Sequence, residues 1–212
     1  MRKRFNLSDR EKLLERVSLR EFFVWWDDIP ASVVTSLRKC LKNAKREQDI
    51  QNFLEANPSL LIHHLSAGHG RWVIPHQRLG AEHVTDFLIA EKDSAGFYWT
   101  AVELESPKSS PFLKNGDPSA VLNHAIRQIL DWRSWLGKNQ DYAVRSKSAH
   151  GLGLEDISSS IPGLILIGRR NMLNDSVNER RKQLESELKI RIHTFDWLLD
   201  IADLHSAAPT QR

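Results

Sequence analysis

An α/β fold, a mixed sheet flanked by helices, is what this 212-residue sequence predicts, and three observations predict it. Two β-like runs, His83 to Ala90 and Phe97 to Glu105, flank Lys92-Asp-Ser-Ala-Gly96, whose turn chemistry makes them an antiparallel hairpin. A helical pattern with Leu122, Ile126, Ile129, Leu130 and Trp132 follows, placing a helix over the sheet. Then comes an apolar run, Gly163-Leu-Ile-Leu-Ile-Gly168, of the kind that fills a strand buried on both faces. Hairpin, crossover helix, strand, helix, strand is an α/β order.

Asn6-Leu-Ser-Asp9 is a helix start, with Leu13, Leu14, Val17, Phe22 and Phe23 at approximately helical spacing behind it, and Pro30 stops or restarts the chain. Residues 1–44 therefore read as a short N-terminal helical extension of two helices. A third helix runs from about Lys45 to Ala56, with Ile50, Phe53 and Leu54 on one side; Asn57-Pro58 ends it because proline disfavours continuation. Trp72 to Ile74 is a strand preceding the hairpin. Ser106 to Pro118 holds three prolines and Gly116 and is a loop; Ser119 caps the crossover helix. Beyond the buried strand lie a charged helix around Val177 to Leu188, a strand from Ile190 to Thr194 and a last helix from Asp196. The main domain spans 45–205, and 206–212 form a flexible tail.

A 41% hydrophobic content supports one sizeable core. The single cysteine, Cys40, cannot form an intrachain disulfide, and no thiolate metal spacing exists; a cytoplasmic protein is expected. No apolar run approaches the roughly 20 residues that span a bilayer. Gly151-Leu-Gly153 lacks the other glycines and the lysine of a phosphate loop, which leaves nucleotide-triphosphate hydrolysis without a motif. The net charge of +3 is modest but uneven: Lys42, Lys45 and Arg46, then Arg169 and Arg170, then Arg180, Arg181 and Lys182. Such runs are solvated helix faces or phosphate contacts. They permit a nucleic-acid partner without requiring one.

The chemistry is concentrated in Trp99-Thr-Ala-Val-Glu-Leu-Glu-Ser-Pro107. Alternation along a strand points Glu103 and Glu105 one way, Val102 and Leu104 the other. Two like charges on one site cost Coulomb energy unless a cation, a proton or solvent relieves them. In the preceding strand Asp86 shares a face with Val84 and Leu88. If the strands pair, three carboxylates converge at one end of the sheet, a donor set for a hard cation such as Mg²⁺. The plainer alternative is that Asp86 and Glu103 are strand-end residues in water or in ion pairs.

Asp86, a hairpin and then Glu103-x-Glu105 resembles the core motif of the PD-(D/E)XK nuclease superfamily. The wider pattern is more specific. Glu47-Gln-Asp-Ile-Gln-Asn-Phe-Leu-Glu-Ala-Asn-Pro58, Thr85-Asp-Phe-Leu88, Val102-Glu-Leu-Glu-Ser-Pro107, Gly116-Asp-Pro-Ser119 and His124-Ala-Ile-Arg-Gln-Ile-Leu-Asp-Trp132 belong to it. So do Pro162-Gly-Leu-Ile-Leu-Ile-Gly-Arg-Arg170 and Thr194-Phe-Asp-Trp-Leu-Leu199. Together they resemble the nuclease domain of the Shedu family of bacterial anti-phage defence proteins, over roughly residues 45 to 203. The resemblance implies a restriction-endonuclease-like fold and a metal-dependent DNA endonuclease acting on phage DNA. It implies Asp86 and Glu103 as ligands of Mg²⁺, for which Mn²⁺ substitutes, with help from the Leu104 carbonyl and from Glu47. It also implies Gln128 aimed at the site, and a homo-oligomer, commonly a tetramer. The pattern departs at Glu105, where a lysine is usual; a glutamate there accepts a proton or binds a second metal. A catalytically inactive DNA-binding or assembly module of the same fold is the alternative, and a purely structural helical partner domain a third.

Lys108, in the following loop, is a candidate for returning positive charge to the site, or an ordinary solvated lysine. His63, His64, His69, His76 and His83 crowd one stretch without the spacing of a structural zinc site. His124 lies one helical turn before Gln128, and Trp132 and Trp135 offer stacking surfaces that core packing explains more simply.

Overall fold

A computed structural model describes residues 12, 14, 15, 18–44, 46–66, 68–173 and 175–206, without the side chains of 175 and 176. In chain order the elements are α1 (Ala31–Asn43), α2 (Glu47–Ala56), β1 (Gly70–Pro75), β2 (Arg78–Leu79), β3 (His83–Val84), β4 (Phe87–Asp93) and β5 (Gly96–Leu104). They continue with α3 (Ala120–Lys138), α4 (Gln140–Val144), β6 (Gly163–Leu166), α5 (Asp175–Leu188), β7 (Ile190–His193) and α6 (Phe195–Leu204). Five strands form one mixed sheet in the order β1-β4-β5-β6-β7. β4 runs antiparallel to both its neighbours, β1 and β5, and β5, β6 and β7 are parallel. The expected mixed α/β architecture is the one found.

Strand alternation sorts the core into two layers. Leu88, Ala90, Trp99, Ala101, Ile165 and Ile192 face one cluster, roofed by Ile126, Ile129 and Trp132 of α3 and Val177 and Leu184 of α5. Phe87, Ile89, Val102, Leu104, Leu164 and Leu166 face the other, covered by α1, α2 and α6 through Leu37, Leu41, Ile50, Leu54, Phe195 and Leu198. Helix α1 thus shares a core with the sheet. Glu103 follows the parity of Trp99 and Ala101, so its side chain goes to the α3 layer.

The hairpin, the crossover α3 and the parallel strands β6 and β7 sit where periodicity puts them. Ser119 caps α3 as expected, its Oγ accepting the Leu122 N–H at 3.2 Å. Four details differ. The run from His83 to Ala90 is not one strand: β3 pairs with β2 in a separate ribbon, the chain leaves the sheet at Thr85 and Asp86, and β4 begins at Phe87. Val84 consequently turns to solvent. Leu130, counted on the buried stripe, is exposed, because it lies outside the arc of α3 that touches the sheet. Phe22 and Phe23 are not in a helix; Arg20–Phe22 is a single 3₁₀ turn and Phe23 bridges Trp72 at the β1 edge. Thr194 is the N-cap of α6 rather than a strand residue. The expected first helix start at 6–9 lies outside the described residues, as does most of the tail, of which Ser206 makes a bridge to Ile29.

Trp132 is 2% exposed and Leu130 39%, two residues apart on α3. In urea denaturation Trp132→Ala should cost about 3–5 kcal/mol, the usual toll of emptying a buried aromatic site. Leu130→Ala should change stability by no more than about 0.5 kcal/mol.

Candidate active site

The register Phe87↔Val102 fixes the site. One step further along, Asp86 lies beside Glu103, just where β4 has ended. The Leu104 N–H therefore finds no strand carbonyl and donates to Asp86 Oδ2 at 2.7 Å. Glu103 is 4% exposed and Glu105 8%, and the Glu105 N–H continues the parallel ladder to the Leu166 carbonyl at 2.9 Å. Both glutamates are thus anchored at a strand end inside the protein. From the roof, the Gln128 amide of α3 donates to Glu103 Oε1.

Helix α2 supplies the third side. Glu47, Gln51 and Glu55 recur every four residues and so form one stripe on it. Gln51 Nε2 donates to Asp86 Oδ1 at 3.3 Å and contacts His76 Nδ1 at 3.2 Å. His76 Nε2 is in turn 2.6 Å from Glu55 Oε1, and the His76 N–H donates to the Asp86 carbonyl at 3.0 Å. His76 holds this position with φ 49°, a left-handed conformation that costs energy for a residue with a Cβ.

The electrostatics follow from that packing. Burial, then the charges of Asp86, Glu105 and Glu47, push the Glu103 carboxyl up to about 10. Glu105 rises to about 7 through burial and then Glu47 and Asp86. Glu47 also rises to about 7, through burial and then Asp86. Asp86 is raised by burial against the opposing pull of the Leu104 N–H, the Glu103 carboxyl and His76. The contact between the two carboxyls raises Glu103 and lowers Asp86. Every charge acting on Glu103 is negative, so a proton is what relieves it. Four carboxylates share one partly dry site.

All the sequence-predicted positions, Glu47, Asp86, Glu103, Leu104, Glu105 and Gln128, are brought to this strand end. Among the described residues, however, no three His, Cys, Asp or Glu side chains close into a ready metal cage. The donor chemistry is nonetheless that of a hard cation: acidic oxygens, raised pKa values and a backbone carbonyl at Leu104. His124 and Lys108 are exposed, away from these contacts, and Trp132 and Trp135 are buried in the α3 layer. His64 and His193 pack against Trp197, at 4.9 and 4.4 Å between ring centroids. The sequence does not assign Gln51 or His76 to this site; His76 stands out there only as one of five crowded histidines. Gln51 was legible, four residues after Glu47 on the same helix; His76 gave no local signal, since only the tertiary fold sets it against Asp86.

No curated protein matches the chain significantly. A family model described as "Shedu protein SduA, C-terminal" matches residues 44–199, which includes every residue of the carboxylate site. By that match over most of its length, the chain belongs to the Shedu family.

Proposed function

We propose that the chain is a metal-dependent DNA endonuclease of an anti-phage defence system. Family membership points to anti-phage defence. The observation that carries the enzymatic reading is the meeting of Glu47, Asp86, Glu103 and Glu105 at one buried strand end, where they raise one another's pKa values. Structural residues seldom accumulate unrelieved like charge in a core; functional sites do.

Asp86, Glu103, the Leu104 carbonyl and Glu47 would hold Mg²⁺ or Mn²⁺, which supplies Lewis acidity and neutralises charge developing on a phosphate. The remaining work falls to the chain's own groups. Glu105, with a pKa of about 7, suits a general base near neutral pH: it takes the proton of a water whose oxygen forms a bond to phosphorus as the bond to the leaving oxygen breaks. Gln128 fixes the orientation of Glu103, and Gln51 with the Leu104 N–H fixes Asp86. With a carboxylate at 105, this site relies on the cation rather than on a lysine to stabilise the transition state.

A second reading, an inactive DNA-binding or assembly module, is favoured by one feature, the glutamate at position 105 where the resembled motif has a lysine. Calorimetric titration with Mn²⁺ separates the two: binding lost in Asp86→Ala and Glu103→Gln supports the nuclease, and no binding supports the module. On plasmid DNA with Mg²⁺ or Mn²⁺, Asp86→Ala should abolish cleavage. Glu105→Gln should slow it by roughly 10²–10⁴-fold, the usual contribution of a general base.

The raised carboxylates also fix a pH dependence. Below the ordinary value of 4.5 they are protonated whether folded or not and contribute nothing to the balance. As pH rises from there to about 7 for Glu47 and Glu105, and on towards about 10 for Glu103, the unfolded chain releases protons that the folded site retains. Stability of the metal-free protein therefore falls as pH rises through this window. Scanning calorimetry in EDTA should place the Tm at pH 8 more than about 4 °C below that at pH 5.5, and Glu103→Gln should shrink the difference. Added Mn²⁺ should raise the Tm more at pH 8 than at pH 5.5, because its ligands must be deprotonated.

A further inference from the structure

We propose that the cavity at the C-terminal end of β7 is a second substrate subsite, in which Arg170 and Arg181 hold a backbone phosphate of the DNA strand; this rests on the nucleic-acid reading above. Two basic runs that sequence separates meet here. The cavity, of about 400 Å³, is lined by Arg170 before α5, Asn178 and Arg181 of α5, His193 and Thr194 at the end of β7, and Trp197 of α6.

The arginines differ in what they are free to do. Arg169 is committed: its guanidinium grips Asp196 through two hydrogen bonds of 3.0 and 2.7 Å. Arg170 pairs with Asp200, but both side chains are more than half exposed, at 63% and 56%. Such a pair is worth little and exchanges readily for a better anion. The Nε of Arg181 is buried and finds no hydrogen-bond partner among the described residues. A buried guanidinium N–H left unmatched is costly, and an anionic oxygen is the acceptor that satisfies it best. The Asn178 amide adds a neutral donor. Among the described residues that line the cavity, Asp200 is the one acidic group against two arginines, so these residues together are net positive.

The walls select phosphate over base. His193 is stacked on Trp197 at 4.4 Å and 11° between ring planes, so it already occupies an indole face on which a base would stack. Burial, helped by Arg181 and Arg191, holds the His193 pKa down to about 4, so it faces the cavity as a neutral group.

The cavity shares a sheet edge with the carboxylates: His193 has the parity of Leu104 and Leu166, while Glu103 and Glu105 point to the α3 face of the same strand ends. Leu104 pairs with Leu166, and Leu166 with His193, so the residue between Glu103 and Glu105 and the rim of the cavity stand in one register row. Two strand spacings separate them, about 10 Å. Because β5, β6 and β7 are parallel, their ends emerge at the same edge, the usual place for ligands in such sheets.

The test is binding of a short fluorescent duplex to the 212-residue chain in EDTA, across a salt series. Arg181→Gln should reduce the slope of log affinity against log salt by about 1, the loss of one phosphate contact, and Arg170→Gln should reduce it as well. Arg181→Lys, which keeps the charge, should retain most of the slope, and Arg38→Gln, in the exposed Arg38–Asp203 pair, should leave it unchanged. Asp86→Ala separates the two claims: it should lose cleavage and keep the salt slope. An unchanged slope in both Arg170→Gln and Arg181→Gln, with native Tm, would overturn the subsite while leaving the nuclease intact. So would inorganic phosphate raising the Tm of the wild type but not of Arg181→Gln while duplex affinity ignores the substitution, since the cavity would then be a small-anion site. A wild type that cuts nothing yet shows the Arg181-dependent slope would sink the nuclease and keep the DNA contact.

Discussion

The pairing of β4 with β5 in one particular register is the constraint on which the rest of the molecule depends. Phe87 opposite Val102 sends both of those side chains into the layer of α1, α2 and α6, and by parity sends Glu103 towards α3. A slip of one residue would exchange the faces, placing Glu103 among the apolar residues of α2 and α6 and exposing Val102 to Gln128. The register is held by more than its own hydrogen bonds. Apolar side chains of both parities are buried along β4 and β5, so neither face tolerates exchange.

The same arrangement explains how the fold keeps four acids together. Glu103 and Glu105 are fixed by the β5 and β6 ladder, Asp86 by the Leu104 N–H where β4 gives out, and Glu47 by a helix belonging to the opposite layer. The break at Thr85 and Asp86 is what lets α2 reach around the strand end, and Gln51 is the observed contact. Because the acids arrive on three separate segments, each packed independently, repulsion between those segments cannot be relieved by a local shift. It is expressed as proton uptake instead, which is why the pKa values rise together. A site assembled this way is preorganised for whatever positive charge replaces the proton, at some cost to the stability of the unliganded fold.

How much of this was legible in the sequence depends on the range of the interaction that decides each feature. The hairpin, the Ser119 cap and the buried β6 run are set by local chemistry and by period, and they were readable. The break before Phe87 was not, because Thr85 and Asp86 carry no glycine or proline; what interrupts the strand is the tertiary pull of the Gln77 carbonyl on the Thr85 N–H and of the His76 N–H on the Asp86 carbonyl. Leu130 misled for a related reason: helical spacing reports a stripe, while the width of the contact is set by the sheet beneath. For the site, Asp86, Glu103 and Glu105 announce themselves by interrupting apolar runs. Gln51 needed only the four-residue spacing from Glu47. Arg170 and Arg181 lie on different elements, so no pattern in the sequence joins them.

In the nuclease reading, glutamate at 105, where the resembled motif has lysine, would alter the whole electrostatic plan rather than one contact. Relative to lysine it moves the formal charge at that position from +1 to −1, and in a buried site that difference is felt by every neighbour. Glu105 is itself one of the charges that raise Glu103. In that reading a lysine would compete with a bound cation, whereas a glutamate would cooperate with it and would leave the substrate phosphate without a cationic side chain from the motif. In the nuclease reading the compensating positive charge must then be found elsewhere along the same sheet edge, and the cavity lined by Arg170 and Arg181 lies at the end of β7, where His193 shares a register row with Leu104. Attraction for the backbone and chemistry on it would thereby be divided between two ends of one row of parallel strands, with the sheet as the ruler that keeps them a fixed distance apart.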